Sequence, residues 1–135
     1  MDKINTLFAR FEPPVHSLFR VITGLLLFQF GVAKLFKFPP VPMFAKVEPF
    51  SLFWCAGSIE LVLGGLLILG LFSRLAAFIL SGEMAFAYFI EHLPRHFIPL
   101  LNGGNLAIMF CFACLFLVFA GGGPWSLDAL VRKKG

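Results

Sequence analysis

The stretch LFWCAGSIELVLGGLLILGLF, residues 52–72, indicates the architecture of this chain more directly than any other. It is almost entirely apolar, and it has about the 20 residues that a helix needs to cross a membrane core of about 30 Å. Lipid offers no hydrogen-bond partners to a peptide backbone, so such a segment is stable in a membrane only when its backbone groups bond to one another. We therefore predict a membrane-spanning helix, with one acidic residue, Glu60, near its middle.

The composition of the whole chain also indicates a membrane protein. Of its 135 residues, 59% are hydrophobic and 13% are charged, whereas soluble domains are typically about 45–50% apolar and about 25% charged. The mean hydropathy is +0.92. The formal net charge of +4 is modest, and the basic residues are scattered between apolar runs. They fit topology signals and lipid headgroup contacts, so we predict no nucleic-acid partner.

Four apolar segments predict an all-α integral membrane protein, a four-helix bundle that forms a single domain over residues 1–135. The predicted spans are residues 18–38, 52–72, 75–93 and 105–120. Residues 1–12 have an apolar helical face, which suits a short helix in the headgroup layer, although a frayed polar tail is the alternative. We expect Pro13 and Pro14 to break this helix and to restart the chain as the first span.

The distribution of basic residues orients the predicted bundle. Lys3, Arg10, Arg20, Arg74, Arg132, Lys133 and Lys134 fall on one side, and Lys34, Lys37, Lys46 and Arg95 fall on the other. Positive charge is enriched on the cytoplasmic side of membrane proteins, so both termini are predicted to be cytoplasmic. The expected location is the bacterial cytoplasmic (inner) membrane, with residues 92–105 on the outer side.

Ionisable residues inside the predicted spans form a candidate charge cluster of Lys34, Glu60 and Glu83. Such groups are costly at membrane depth, so each is a functional candidate. Lys34 lies about one helical turn nearer the outer surface than Glu60, and we predict that the two side chains pair. Glu83 has no obvious cation of its own and should be protonated or hydrogen-bonded. The cluster serves either a proton or quinol relay or only the register and orientation of the helices.

Small residues on the first two spans predict close helix packing. Gly24 and Gly31 fall on the stripe of the first helix that carries the candidate lysine. Gly57 and Gly64 share a face with the candidate glutamate of the second helix. Small side chains let helix backbones approach closely in lipid, so we predict that these four glycines pack the helices together.

The connection HLPRHFIPLLNGGN, residues 92–105, gathers polar side chains between two apolar runs. Its candidate site residues are His92, Arg95, His96, Asn102 and Asn105. The prolines should end the third helix, and Asn105 should cap the fourth by accepting an amide hydrogen bond. A metal site on the two histidines would need a continuous helix, which Pro94 disfavours, so no metal is predicted. We expect interfacial histidines that bond to backbone or headgroups.

The pair Cys111 and Cys114 forms a C-x-x-C motif, which is normally a redox or metal signal. Reactive cysteines need an electropositive and partly exposed setting. These two lie deep in an apolar segment, so core packing is the favoured interpretation.

The ordered set of motifs resembles the DoxX family of small bacterial membrane proteins. The motifs are FGVAK (30–34), IELVLGGLLILGLFSR (59–74), HLPRHFIPLLNGGN (92–105) and GPWSLD (123–128). They follow the family's order and cover most of the chain. The resemblance implies a four-helix membrane protein associated with redox proteins, because members have been linked to thiosulfate:quinone oxidoreductase and to complexes that handle oxidative stress.

Individual positions carry over from that resemblance. The matching residues are Gly31 and Lys34 in G-x-x-K, Glu60, Gly64 and Gly65 in the acidic-then-glycine pattern, Arg74 after it, and Asn102, Gly103 and Gly104 in the turn. The chain departs from the pattern at Asn105, where many relatives have Glu. Any proton chemistry that this carboxylate performs in the family is therefore in doubt here.

Three functions remain open on the sequence alone. The first is a small accessory subunit of a membrane-associated redox or oxidative-stress complex, without a complete active site. The second is a quinone-reducing oxidoreductase subunit, and the third is a small-molecule or proton carrier built around Glu60 and Glu83. The sequence has no dinucleotide fingerprint and no nucleophile–base set. The expected partners are membrane lipid and either another protein or further copies of this chain, with a quinone as the one cofactor considered.

Overall fold

The computed structural model describes residues 2–38, 40 and 48–134, and all regular secondary structure within them is helical. The helices are α1 (Asp2–Phe36), α2 (Leu52–Leu69), α3 (Ser73–Ala87), α4 (Pro99–Asn102), α5 (Asn105–Ala120) and α6 (Leu127–Lys134), and a π-helical turn (Tyr88–His92) continues α3. By length and composition, α1, α2 and the segment Ser73–His92 can each cross a membrane, and α5 is a shorter apolar helix. Lys46, assigned above to the outer side, lies outside the described residues.

Helix α1 is longer than the sequence predicts. It runs without a break through Pro13 and Pro14 for 35 residues, or about 52 Å at 1.5 Å per residue. The prediction that these prolines end a separate N-terminal helix is therefore wrong. Proline removes a backbone donor and leaves the carbonyl four residues earlier without its helical partner. Those carbonyls belong to Ala9 and Arg10, which are exposed, so solvent can satisfy them and the helix continues.

Helices α1 and α2 make the most extensive contact in the bundle. Gly24, Gly31, Gly57 and Gly64 are all buried and lie in this contact, as the sequence predicts. A Cβ atom on Gly31 would lie 2.5 Å from the backbone nitrogen of Leu61, and one on Gly24 would lie 2.8 Å from the carbonyl oxygen of Gly64. The two helix backbones therefore touch, which only glycine permits at these positions.

This contact gives a testable stability prediction. Replacing Gly31 with Ala should lower the free energy of unfolding by about 1–3 kcal/mol, because the two backbones must separate to admit a methyl group. Gly65→Ala on α2 is the matched control, since a Cβ there would come no closer than 3.9 Å to its neighbours. Unfolding of both variants in detergent micelles would measure the effect. Equal stability of the two variants would contradict the close contact.

The core lies between this pair of helices and a second pair formed by α3 and α5. Its fully buried members include Leu27, Leu67, Leu80, Cys114 and Leu117, each with 0% exposure. Cys114 thus packs as a small apolar side chain, as the core interpretation of the C-x-x-C motif predicts.

A buried arginine ties the C-terminal segment to the bundle at the end opposite residues 92–105. Arg20 is 2% exposed, and its guanidinium donates to four main-chain carbonyl oxygens: those of Leu67 at 2.8 Å, Trp125 at 3.0 Å, Ile68 at 3.4 Å, and Gly122. These acceptors lie on α2 and on the segment after α5. One side chain of α1 therefore holds two other parts of the chain in place.

The GPWSLD motif (123–128) explains a second tie at the same end. Helix α3 begins after Phe72, whose φ of +50° is unusual for a residue with a side chain, and no local side chain caps it. The carboxylate of Asp128 accepts instead from the backbone N–H groups of Phe72 at 2.8 Å and Ser73 at 2.9 Å. An acidic group is favourable at a helix N-terminus because free N–H groups and the helix dipole converge there.

Candidate functional site

A buried ion pair lies between α1 and α2. The Nζ atom of Lys34 donates to both carboxylate oxygens of Glu60, at 2.9 and 2.8 Å, so the predicted contact is present. The two residues are 9% and 1% exposed. Gly57 makes room for the lysine stem, because a Cβ there would lie 2.7 Å from the Cβ of Lys34. The ammonium also lies 5.9 and 6.0 Å from the ring centroids of Phe30 and Phe53, within cation–π range.

Glu83, the third member of the predicted charge cluster, lies in the same part of the bundle. It is close enough to Glu60 and Lys34 to interact with both electrostatically. Both of its carboxyl oxygens are buried, and neither accepts a hydrogen bond from any residue that the structure describes. Burial of a polar group without a hydrogen bond costs free energy, so Glu83 differs from its neighbour Glu60, whose oxygens are both bonded.

A cavity of about 280 Å³, called the pocket below, opens above the ion pair. Its apolar walls include Phe30 of α1, Phe53 of α2, Met84 of α3 and Phe110 of α5. Phe30 and Phe110 meet edge to face, with ring centroids 6.4 Å apart, and so close one side of it. Helices α1, α2, α3 and α5 all contribute residues to the pocket, which therefore exists only in the assembled bundle.

The pocket brings together residues from both candidate groups of the sequence. Lys34 and Glu60 line it from the first group, and His92 and Arg95 line it from the second. The Nδ1 atom of His92 lies 3.0 Å from the carbonyl oxygen of Asn102. A carbonyl oxygen only accepts, so Nδ1 carries the hydrogen and Nε2 is an acceptor in the neutral ring.

The other predicted loop residues lie elsewhere. Asn102 is 2% exposed; its amide nitrogen donates to the carbonyl oxygen of His96 at 2.8 Å and to the hydroxyl of Tyr88 at 3.2 Å. Its amide oxygen accepts from the N–H of Gly104 at 2.8 Å. The prediction that Asn105 caps α5 is wrong, because the residue is exposed within the first turn and Gly104 occupies the cap position. Asn102 is suited to the turn because its side chain bonds both to the segment before it, at His96, and to the segment after it, at Gly104.

Several pocket residues were not predicted from the sequence. Glu91 lines the pocket from the π-helical turn, beside His92. Phe30 and Phe53 in the walls carry no distinguishing signal in a chain with 19 phenylalanines. The π-helical turn itself rotates the end of α3 relative to a regular helix, and such turns are frequent at functional sites.

The fold and the pocket together define a helical membrane protein that carries a buried ion pair beneath a small, largely aromatic cavity. Among the residues that the structure describes, no group of three or more His, Cys, Asp or Glu side chains is placed to hold a metal ion. The residues that can bind a ligand are thus the charged and imidazole groups just described and the aromatic walls around them.

The chain belongs to the DoxX family. The DoxX family model matches residues 15–93, a region that contains Lys34, Glu60, Glu83 and His92, and it confirms the resemblance seen in the motifs. A protein of Haemophilus influenzae with the description "Uncharacterized protein" is 40% identical over 132 residues, which covers 93% of this chain and 96% of the relative. No solved structure matches the chain.

Proposed function

We propose that the chain is a small accessory subunit of a membrane-associated redox or oxidative-stress complex, and that its pocket binds the ring of a quinone-type carrier for that complex. One observation supports this proposal above the others. The pocket joins a buried ion pair, an imidazole and a guanidinium under aromatic walls in a single cavity. An apolar cleft with a few convergent polar groups is the usual form of a small-molecule site.

The dimensions and chemistry of the pocket fit the head of such a carrier. Its volume of about 280 Å³ is slightly below the roughly 300–1,000 Å³ of sites for drug-sized ligands, so it suits a ring head rather than a head with its whole tail. Arg95 would donate hydrogen bonds to a ring carbonyl. The Nε2 atom of His92 would accept from a ring hydroxyl. A quinone supplies the two-electron chemistry when bound.

The accessory role rests on what the sequence lacks. It has no dinucleotide fingerprint, so in this proposal the electrons reach the carrier from a partner subunit. We place the protein in the bacterial cytoplasmic membrane as a four-helix, multi-pass bundle of one domain with both termini in the cytoplasm. Arg20 and Arg74 bond to the segments near the C-terminal end of the bundle, and the positive-inside rule favours that end as the cytoplasmic one.

The binding part of the proposal predicts the effect of two pocket variants. Arg95→Ala should weaken binding of decylubiquinone, because the guanidinium would donate to its ring carbonyl. His92→Ala should weaken binding of the reduced form, decylubiquinol, because Nε2 would accept from its ring hydroxyl. Each loss should be roughly tenfold, the size expected for one hydrogen bond with a charged or well-placed group. Asn105→Ala is the matched control, because that residue is exposed and does not line the pocket. Equilibrium binding to the purified protein in nanodiscs measures the effect. Unchanged affinity in both pocket variants would refute quinone binding here.

The accessory part is tested with the same preparation. The purified chain alone should reduce no quinone with thiosulfate or with generic electron donors. Gentle detergent extraction should instead recover a redox partner, and the pocket variants should leave that recovery intact. Turnover by the isolated chain that disappears in His92→Ala would show that it is an oxidoreductase subunit in its own right.

A further inference from the structure

Helix α1 carries an exposed apolar seam on the side facing away from the bundle. The seam consists of Ile4, Phe8, Phe11, Val15, Leu18, Ile22 and Leu25. The steps between successive members alternate between four and three residues, which is the heptad spacing of helices that pack in parallel along a seam. Every member is between 45% and 67% exposed.

Gln29 continues the seam at the next step, four residues after Leu25. It is exposed and lies near the middle of the apolar part of α1, between the levels of Arg20 and Lys34. No hydrogen bond joins its amide to another residue in the described part of the chain. An amide that faces hydrocarbon without a partner costs free energy. The amide has two donor hydrogens and one acceptor oxygen, so it is complementary to a second amide of the same kind.

We propose that a second copy of this chain packs along the α1 seam, with the two Gln29 amides hydrogen-bonded to each other. Two copies inserted in the same orientation are related by a two-fold axis normal to the membrane, which brings equal residue numbers to equal depth. Gln29 therefore meets Gln29. A single polar residue at a seam position fixes the register of paired helices. Lipid, the other candidate for this face, offers an amide no comparable partner.

The seam has a different driving force at each end. Residues 2–13 are all exposed, and α1, at about 52 Å, exceeds the membrane core of about 30 Å. Phe8 and Phe11 in this overhang gain from removal of apolar surface from water when they pair. Inside the lipid that gain is absent, and packing and the amide pair stabilise the contact instead.

This proposal does not depend on the pocket. The residues of α1 that face the ion pair and α2, such as Gly24, Gly31 and Lys34, are buried, whereas the seam residues are exposed on the other side. A dimer formed along the seam leaves the pocket as it is. Failure of quinone binding therefore leaves the dimer untouched, and a monomeric protein leaves the quinone proposal untouched.

Cysteine cross-linking in native membranes tests the seam. In a full-length background with the three native cysteines replaced, Leu18→Cys and Ile22→Cys should form a disulfide-linked dimer as the main product under mild oxidation. Phe78→Cys on α3 and Phe112→Cys on α5, at 65% and 62% exposure, are matched lipid-facing controls and should stay monomeric. Seam cysteines that cross-link no better than the controls, or that cross-link to a different protein, overturn the proposal.

The amide pair is tested separately by Förster transfer between labelled copies in micelles. Gln29→Leu should raise the dimer dissociation constant roughly three- to thirtyfold, the range that corresponds to interhelical hydrogen bonds in membranes. Gln29→Asn keeps an amide and should restore most of the affinity. Because the side-chain amide of Gln29 makes no hydrogen bond to a described residue of the bundle, thermal unfolding of the monomer should be the same in all three proteins. An unchanged dissociation constant in Gln29→Leu overturns the amide pair.

Discussion

Replacing Arg20 with Met is expected to lower the free energy of unfolding by about 3–5 kcal/mol, because several charge-assisted hydrogen bonds are lost together. The guanidinium is almost fully buried and donates to carbonyl oxygens of Leu67, Gly122 and Trp125. Methionine replaces the apolar stem but has no donor, so these carbonyls would lose their hydrogen bonds to the guanidinium; that of Leu67 would keep the one from the N–H of Gly70. The C-terminal segment should detach first. Unfolding in detergent micelles and protease sensitivity near Trp125 would measure both effects.

Arg74→Met is the matched control for this variant. Arg74 also donates to main-chain carbonyls, those of Val118 at 2.9 Å and Phe119 at 2.7 Å, but its side chain is exposed. Water can replace its hydrogen bonds, so the loss should be much smaller. Arg20→Lys keeps the charge without the planar fork and should fall between the two. A similar loss in both methionine variants would show that burial of Arg20 contributes nothing particular.

The sequence predicted the helices better than it predicted how they end. Apolar runs and their length located α2, α3 and α5, because lipid imposes a length on any segment that crosses it. The short helices α4 and α6 were not predicted. The prediction at Pro13 and Pro14 was wrong because it counted only the helical hydrogen bonds that proline removes, and not whether solvent can replace them. In α1 that cost falls on exposed carbonyls, and the helix continues. The cap of α5 was misplaced by one residue: Asn105 already lies in the first turn, and Gly104 occupies the cap position.

Contacts between two side chains could be predicted from the sequence, whereas contacts between a side chain and the backbone could not. Lys34 and Glu60 carry opposite charges on facing stripes, so their contact follows from helical periodicity. The partners of Arg20 are carbonyls up to 105 residues away in the chain, and a carbonyl has no signature in a sequence. The pocket could not be predicted from the sequence either, because its lining residues come from α1, α2, α3 and α5 and meet only when these helices pack together.

The buried ion pair gives the second large effect. Lys34→Met should lower the free energy of unfolding by about 3–5 kcal/mol, since it leaves the carboxylate of Glu60 buried without its partner. The double variant Lys34→Met with Glu60→Gln should recover much of this loss, because no buried charge remains. A double-mutant cycle built from these variants and Glu60→Gln alone measures the coupling directly, and residues in contact typically couple by about 0.5–3 kcal/mol. We expect a value in the upper part of that range.

Glu83 supplies the control cycle for this pair. Its oxygens accept no hydrogen bond from a described residue, although it interacts electrostatically with Lys34. The combination of Lys34→Met with Glu83→Gln should therefore couple more weakly than the combination with Glu60→Gln. Both cycles use the same lysine variant and the same Glu-to-Gln change, so the difference between them isolates the direct contact. Additive effects in the Glu60 cycle would mean that Lys34 reaches water at the membrane surface and that the pair adds little to stability.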